Sequence, residues 1–576
     1  MSARRLRAGG LAHRVPAWTI TAALGIPYVI LAPPSSDLAA ASYRSSLFGR
    51  VGFTLWDNAW YGGHHLPAYS VLGPALGWLI GPPLLAALSM TVAAALFAAL
   101  IEGSFPARAC RIAAAWFALG AGIGLLASRV PFDLGLAVGL GALLAARHST
   151  AGRARRALAL ALAVICALAS PVAGAFLALA ALAWALAGGV PVRASEPLGM
   201  LHRAPQSARS GRRPRVAVPG GWFPVLLMLA PIAPIAVLVL AFPEGGSQPF
   251  VASAFYPALA GVLVIAAVTP GEERLLRIGM GLYAAALLGA FAIPTAVGGN
   301  ADRLGALFAG PLAACVLAAR STGGWRLLLL APFLLYWQAN APVADFASAT
   351  SDPAVHASYY APLLGELRVL DVGYPAHPTR IEVVPTRDHG EARFLAPHVA
   401  IARGWERQLD TYRDGLFYES ESAPLSPARY KAWLSEQAIS YIALPDAPLD
   451  YSATSEGRLL RGAPGAGGGA PAYLREVWRS AHWRLFAVLN ARPLAERPAT
   501  LTQLQEDSFT LAAPRPGRYV ARVRFTSYWA LSGGGHGCVR EAPGGWTELE
   551  ASRAGSLHVV IDFALGRVFD HGPRCR

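Results

Sequence analysis

The sequence predicts a mainly α polytopic membrane bundle of about eleven transmembrane helices, followed by an extracytoplasmic α/β and β-sandwich region. Three observations carry this. The 576 residues are 54% hydrophobic and only 14% charged, against about 25% charged in an ordinary soluble domain. Charge is also unevenly placed. Residues 1–342 hold 24 of the 49 basic and 9 of the 34 acidic residues, whereas residues 343–576 hold 25 of each. The whole formal charge of +15 therefore belongs to the first part. Finally, long apolar stretches recur throughout that part and nowhere after it. A water-soluble enzyme and a disordered chain are both excluded by this arithmetic.

Apolar stretches of about 17–25 residues read as membrane-spanning helices. They fall at 15–33, 67–101, 111–128, 131–146, 156–170, 172–188, 221–241, 252–269, 278–296, 304–319 and 326–342. The second is too long for one simple span and contains Pro82-Pro83, which reads as a tilted helix preceded by a short interfacial segment. Alternate loops hold arginine: Arg4, Arg5, Arg7 and Arg14, then Arg108 and Arg111, Arg147 to Arg156, Arg193 to Arg215, Arg274 and Arg277, and Arg320 with Arg326. The opposite loops have Arg44, Arg50, Arg129 and Arg303. This asymmetry places the N-terminus in the cytoplasm and the C-terminal region outside, in a multi-pass plasma-membrane protein. Ala39-Ala40-Ala41 could end a cleaved signal peptide, but ten further spans favour an uncleaved first helix. The basic run Ser207 to Arg215 has no interleaved aromatic residues for stacking bases, so it reads as a cytoplasmic loop and not as a nucleic-acid site.

Past Pro342 the pattern turns soluble. Arg380 to Pro385, Ile439 to Leu444 and Trp483 to Val488 read as strands, with helical stretches over about 390–415. Ser426-Pro427 starts a further helix, since Ser caps free amides and Pro suits the first turn. These place an α/β domain at 343–495. In the following 496–576 module, Tyr519, Ala521, Val523 and Phe525 alternate with polar residues, the mark of a half-buried strand. Leu557 to Phe563 reads as a second strand, with turns at Gly533-Gly534-Gly535 and Gly544-Gly545, giving a small β-sandwich. Gly462 to Ala470 reads as a flexible loop. Cys538 and Cys575 are the only cysteines outside the membrane part. An oxidising exterior would join them.

Candidate chemistry concentrates between Ser35 and Pro74. Tyr43, Leu47 and Val51 recur every four residues, which predicts a helix lying on the membrane surface, with Asp37 and Arg44 on one face. Beyond it come Trp56-Asp57, Trp60-Tyr61, Gly62-Gly63 and His64-His65. Adjacent histidines cannot share one metal on a regular helix or strand, and no cysteine spacing suggests a metal site. Asp302-Arg303 is the other outer charge pair of note. Each has a plainer reading. Asp37 suits a helix start, Asp57 a turn, Trp56, Trp60 and Tyr61 an interfacial belt, and Tyr528 with Trp529 a sandwich core.

An Asp shortly after the first span, a surface helix, the Trp-Asp-x-x-Trp-Tyr-Gly-Gly run at 56–63 and the Tyr-Ser-x-Leu-x-Pro run at 69–74 resemble the GT-C class of polytopic glycosyltransferases. They also resemble actinobacterial integral membrane proteins of that architecture, as do Gly298 to Leu304 and the Tyr528-Trp529 and Gly537-Cys538 region. The resemblance implies transfer of a sugar from a polyprenyl-phosphate donor to an envelope glycan or glycolipid acceptor outside the membrane. It makes Asp37, and secondarily Asp57, the catalytic carboxylates. Arg44, Trp56, Trp60, Tyr61, His64, His65, Asp302 and Arg303 are the substrate-binding candidates. No Asp-Asp or Asp-x-Asp pair is present in the loop, so no divalent cation is indicated, although the class leaves one open. A lipid or solute transporter or flippase is the competing reading, and an inactive envelope-assembly scaffold the third. Against the transporter stand the absence of an internal repeat and the apolar Ala/Leu-rich helix centres.

Overall fold

A computed structural model describes residues 15–149, 152–188, 221–320, 323–375, 377–419, 425–462 and 469–576. The arginines expected at 4–14 and 193–215, and most of the Gly-rich loop at 462–470, lie outside the described residues.

The first part is a helical bundle. Among the described residues six helices are long and apolar enough to cross a membrane: Pro82–Ile101, Ala107–Ala127, Val130–Arg147, Phe223–Ala241, Arg274–Ala292 and Gly324–Ala349. Trp18–Leu31, Pro171–Leu186 and Ala252–Val268 are apolar but shorter. Arg153–Ala169 and Asp302–Leu317, of 17 and 16 residues, begin on charged residues. At 1.5 Å per residue, helices of 14–17 residues reach about 21–26 Å, short of the roughly 30 Å hydrocarbon core. The bundle therefore falls below the expected count of full-length spans. The stretch at 67–101 breaks into Gly73–Ile80 and Pro82–Ile101. Gly81, at φ +85°, makes the turn between them that a Cβ would strain. The last helix runs past Pro342 to Ala349, so the change in composition falls within a helix.

The bundle core is alanine, leucine and phenylalanine. Phe97 stacks on Phe117 at 4.4 Å, and Phe308 meets Phe117 at 5.3 Å. Small residues let the helices approach closely where no hydrophobic force drives association in lipid. Gln338 is a rare polar side chain there, and it accepts from the Trp116 indole at 3.0 Å. Helix ends alternate. Tyr28 meets Ser128, Ser35 Oγ donates to the Ala127 carbonyl, and Val71 N–H donates to Leu168. Gln248 N–H donates to Thr295, while Thr411 Oγ1 donates to the Ser247 carbonyl. All these junctions sit at the end that carries the C-terminal region.

That region begins with a five-stranded sheet in the order Ala400–Ile401, Arg380–Val383, Ile439–Pro445, Trp483–Val488 and Leu474–Arg479. The first three strands are parallel and the others antiparallel. Pro427–Glu436 starts on Ser426, whose hydroxyl accepts the Arg429 amide. The helical stretch expected over 390–415 divides into Gly390–Phe394 and Arg407–Arg413, separated by the strand Ala400–Ile401.

A sandwich of two four-stranded sheets follows. One is ordered Gly517–Arg524, Trp546–Ala551, Gly537–Ala542 and Arg574–Cys575; the other Trp529–Ser532, Gly555–Ile561, Ser508–Ala513 and Thr500–Leu504. Tyr519, Ala521, Val523, Val539 and Leu549 from the first face Phe509, Leu511, Trp529 and Val559 from the second. Cys538 and Cys575 form a disulfide across the Gly537–Ala542 and Arg574–Cys575 pairing. Tyr528 and Trp529 are core residues, each about 1% exposed.

Candidate active site

The helix expected on the membrane surface forms as Ser36–Val51, started by Ser35, whose hydroxyl accepts the Leu38 amide at 3.1 Å. Its apolar face does not lie on lipid. Tyr43 and Leu47 are buried against the C-terminal region, in one cluster with Trp60, Tyr360, Leu395 and Ile401. The helix is therefore a wedge between the bundle and the outer sheet, because the outer region supplies the apolar surface that its periodic face needs.

Asp37 occupies the first turn of this helix. Its Oδ2 lies 3.8 Å from Arg129 Nε. Burial raises the Asp37 carboxyl above its ordinary value, against the pull of Arg303, Arg129 and Arg44. Arg129 precedes the Val130–Arg147 helix, and Asp133 lies in that helix's first turn. Arg303 is the second residue of Asp302–Leu317 and packs over the Phe132 ring at 5.4 Å. Tyr69 closes the side toward Arg44, whose guanidinium sits 4.0 Å above the tyrosine ring. Three helix starts thus bring Asp37, Arg129, Asp133 and Arg303 to one end of the bundle. The Arg129 Nε and Asp133 Oδ2 atoms are buried without hydrogen-bond partners, and Asp133 is only 3% exposed. Uncommitted buried polar atoms are costly, and Arg129 Nε faces the Asp37 carboxylate.

Asp37 lies within electrostatic reach of Arg44 and Arg303 as well as Arg129. The structure does not bring the other candidates with them. Residues 56–65 form a hairpin in which Trp56 pairs with His65 and Asp57 with His64. Its tip is plugged into the outer region. Ile401 N–H donates to the Ala59 carbonyl, Arg524 N–H to that of Gly62, and Asn58 N–H to that of Glu506. Gly63 has φ +125°, and a Cβ there would lie 2.4 Å from the Trp56 ring.

Within this plug, Asp57 is wholly enclosed. Its Oδ2 accepts from the Tyr43 hydroxyl and its Oδ1 from the Ala59 amide, each at 2.9 Å. Burial raises it to about 7, against those two bonds. Trp60 stacks between Tyr43 and His64, at 4.6 and 5.4 Å. Tyr61 donates to the Glu406 carbonyl, and the Trp56 indole donates to Asn58. Burial drives His64 down to about 3, so its ring is neutral. His65 Nδ1 lies 2.8 Å from Glu244, and its Nε2 meets Thr526 at 3.0 Å. Arg413 completes the clamp on Glu244 at 2.8 Å. These residues fasten four segments together and form neither an open interfacial belt nor a sugar platform. Asp302 is likewise engaged, accepting the Trp337 indole at 2.8 Å. Arg44 is both member and anchor, because it forms a buried ion pair with Glu406.

Sequence reasoning passed over Arg129 and Asp133 as site members. Their only signal was membership of the short roster of outer charges. No group of three or more His, Cys, Asp or Glu able to hold a metal ion occurs among the described residues. The charges nearest Asp37 are guanidinium groups, so the residues present do not fit a divalent cation.

No protein-family model and no curated protein matches the chain. Among solved structures, it is similar to arabinofuranosyltransferase AftD from mycobacteria, with 18% identity over 83% of this chain and a TM-score of 0.44. The chain spans 42% of the length of that protein. The apo oligosaccharyltransferase of Archaeoglobus fulgidus matches 97% of this chain and 95% of its own, with 11% identity and a TM-score of 0.47. The oligosaccharyltransferase AglB from the same organism, in complex with an inhibitory peptide and a dolichol-phosphate, matches 74% of this chain and 69% of its own. There the identity is 13% and the TM-score 0.34.

Proposed function

We propose that this is a membrane glycosyltransferase that moves a sugar from a polyprenyl-phosphate donor to a hydroxyl acceptor on the extracytoplasmic side. One observation carries the reading. Asp37 lies 3.8 Å from Arg129 and within electrostatic reach of Arg303 at the end of the bundle that bears the C-terminal region, and Arg129 and Asp133 hold unpartnered buried polar atoms there.

The chemistry follows from the charges. The acceptor oxygen attacks the anomeric carbon, and the bond from that carbon to the phosphate oxygen breaks. Asp37 takes the hydroxyl proton, a role that its raised basicity suits. The lipid phosphate leaves as an anion, and Arg129 and Arg303 neutralise it by charge-assisted hydrogen bonds. Asp133 adds a second carboxyl within electrostatic reach of both guanidinium groups.

The topology proposed for it is eleven passes, six by the full-length helices and five by the shorter ones, with the N-terminus inside. Its support is the alternation of helix ends together with the arginine-rich loops of the opposite side. The charged cluster lies at helix starts and the bundle centre is packed phenylalanine, which favours surface chemistry over a path through the membrane. The test is transfer from polyprenyl-phosphate sugars by the full chain in lipid nanodiscs. Wild type should transfer at least one such sugar, and Asp37→Ala should not; equal activity of the two would remove Asp37 from the reaction.

A further inference from the structure

We infer that the sandwich carries an apolar foot, Phe563, Leu565 and Phe569, that inserts into the outer leaflet of the bilayer. From Thr500 onward these are the only large hydrophobic side chains exposed among the described residues, at 44%, 77% and 80%. All three lie on or beside the turn Leu565–Val568, between the strands Gly555–Ile561 and Arg574–Cys575.

The turn is fixed against the end of a membrane helix. The Tyr528 hydroxyl donates to the carbonyl of Ala241, the last residue of Phe223–Ala241, at 2.7 Å. The Phe242 ring packs on Tyr528 at 5.7 Å and on Phe563 at 6.2 Å. Val568 joins the cluster of Leu238, Ala241 and Phe242. Arg567 locks the turn from behind, its Nε donating to the Ser527 carbonyl while the Ser527 hydroxyl donates to the Arg567 carbonyl. The foot is thus held at the level of this helix end, where Val237, Val239 and Leu240 are also exposed. A level shared with a lipid-facing helix end identifies the occupant. Side chains such as Phe and Leu on a rigid turn at this level gain by burial among acyl chains and glycerol. Exposed apolar side chains grouped on one turn mark an interaction site in a sandwich whose other large hydrophobic side chains are covered.

The inference rests on reading Phe223–Ala241 as a membrane span and not on the transferase reading. Its test is nitroxide accessibility in the full chain, reconstituted in phosphatidylcholine/phosphatidylglycerol nanodiscs, with Cys110, Cys166 and Cys315 replaced by Ala. Labels are placed at Leu565→Cys, Phe569→Cys, Val239→Cys and Val477→Cys. Oxygen should relax the labels at 565, 569 and 239 more than an aqueous nickel chelate does, and the order should reverse at 477. Labels at 565 and 569 that behave as at 477, with 239 still lipidic, would overturn the foot alone. An aqueous label at 239 would overturn the span itself. Protection of 565 and 569 from both reagents would mean a protein cover, a second copy or another chain, and would also overturn it.

Discussion

Asp37 and Asp57 lie in the same outer loop, both beside aromatic residues, yet the structure gives them opposite lives. Asp57 has each carboxylate oxygen bonded to a donor of its own loop or wedge helix and no exposed surface. Asp37 is held near three guanidinium groups and spends its carboxylate on no turn. Both are shifted upward by burial, so the shift does not separate them. What separates them is commitment. A carboxylate whose lone pairs are already used builds the fold; one surrounded by uncommitted charge can do chemistry.

The comparison can be broken first at the plug. Trp60→Ala removes a fully buried ring stacked between Tyr43 and His64 and should cost about 3–5 kcal/mol of stability. Thermal unfolding in detergent checks this; an unchanged midpoint would mean that the hairpin does not lock the outer region. Cys538→Ser opens a closed loop of 37 residues and should cost on the order of 3–4 kcal/mol in the sandwich. Thiol labelling of denatured, unreduced wild type should leave both cysteines unmodified.

At the site, Arg303→Ala and Arg129→Ala should each lower kcat/KM by about 10–100-fold with little change in unfolding midpoint, the range of one lost charge-assisted bond to an anion. Lysine at either position should restore only part of the activity, because it cannot make the planar bidentate contact. The last effect is the pH dependence of the Glu244 clamp. Burial raises the Glu244 carboxyl, but Arg413 and His65 outweigh it and hold it near 2, below its ordinary 4.5. Its contribution is therefore fully present above about pH 4.5 and is lost as the pH falls through about 2. Glu244→Gln should flatten that acid limb in a pH series of unfolding midpoints.

The parts of this architecture that were legible in the sequence are those set by local rules. Ser426-Pro427, the alternation of Tyr519 to Phe525, and the four-residue spacing of Tyr43 and Leu47 each name an element from its own residues. The aromatic and histidine run at 56–65 was misread. An amphipathic ring looks the same in sequence whether it meets headgroups or another domain, and only the docking of Ile401 and Arg524 backbone onto the hairpin decides it. Arg129 and Asp133 were missed as partners of Asp37 for a similar reason. Their proximity comes from packing helix starts that are distant in the chain. Asp37 and Arg303 stand out in the sequence because outer charges are so few.

The contrast between the two aspartates is tested most directly on one pair of variants, Asp37→Asn and Asp57→Asn, with transfer and unfolding both measured in the same nanodisc preparation. The account predicts that Asp37→Asn loses about 10²–10⁴-fold in turnover, the range for a lost general base, while its unfolding midpoint stays within a degree or so. It predicts that Asp57→Asn keeps turnover per folded molecule within about threefold and shifts only stability, since two internal hydrogen bonds of about 1 kcal/mol each are disturbed. Full turnover in Asp37→Asn, or a turnover defect in Asp57→Asn without a stability defect, would contradict it.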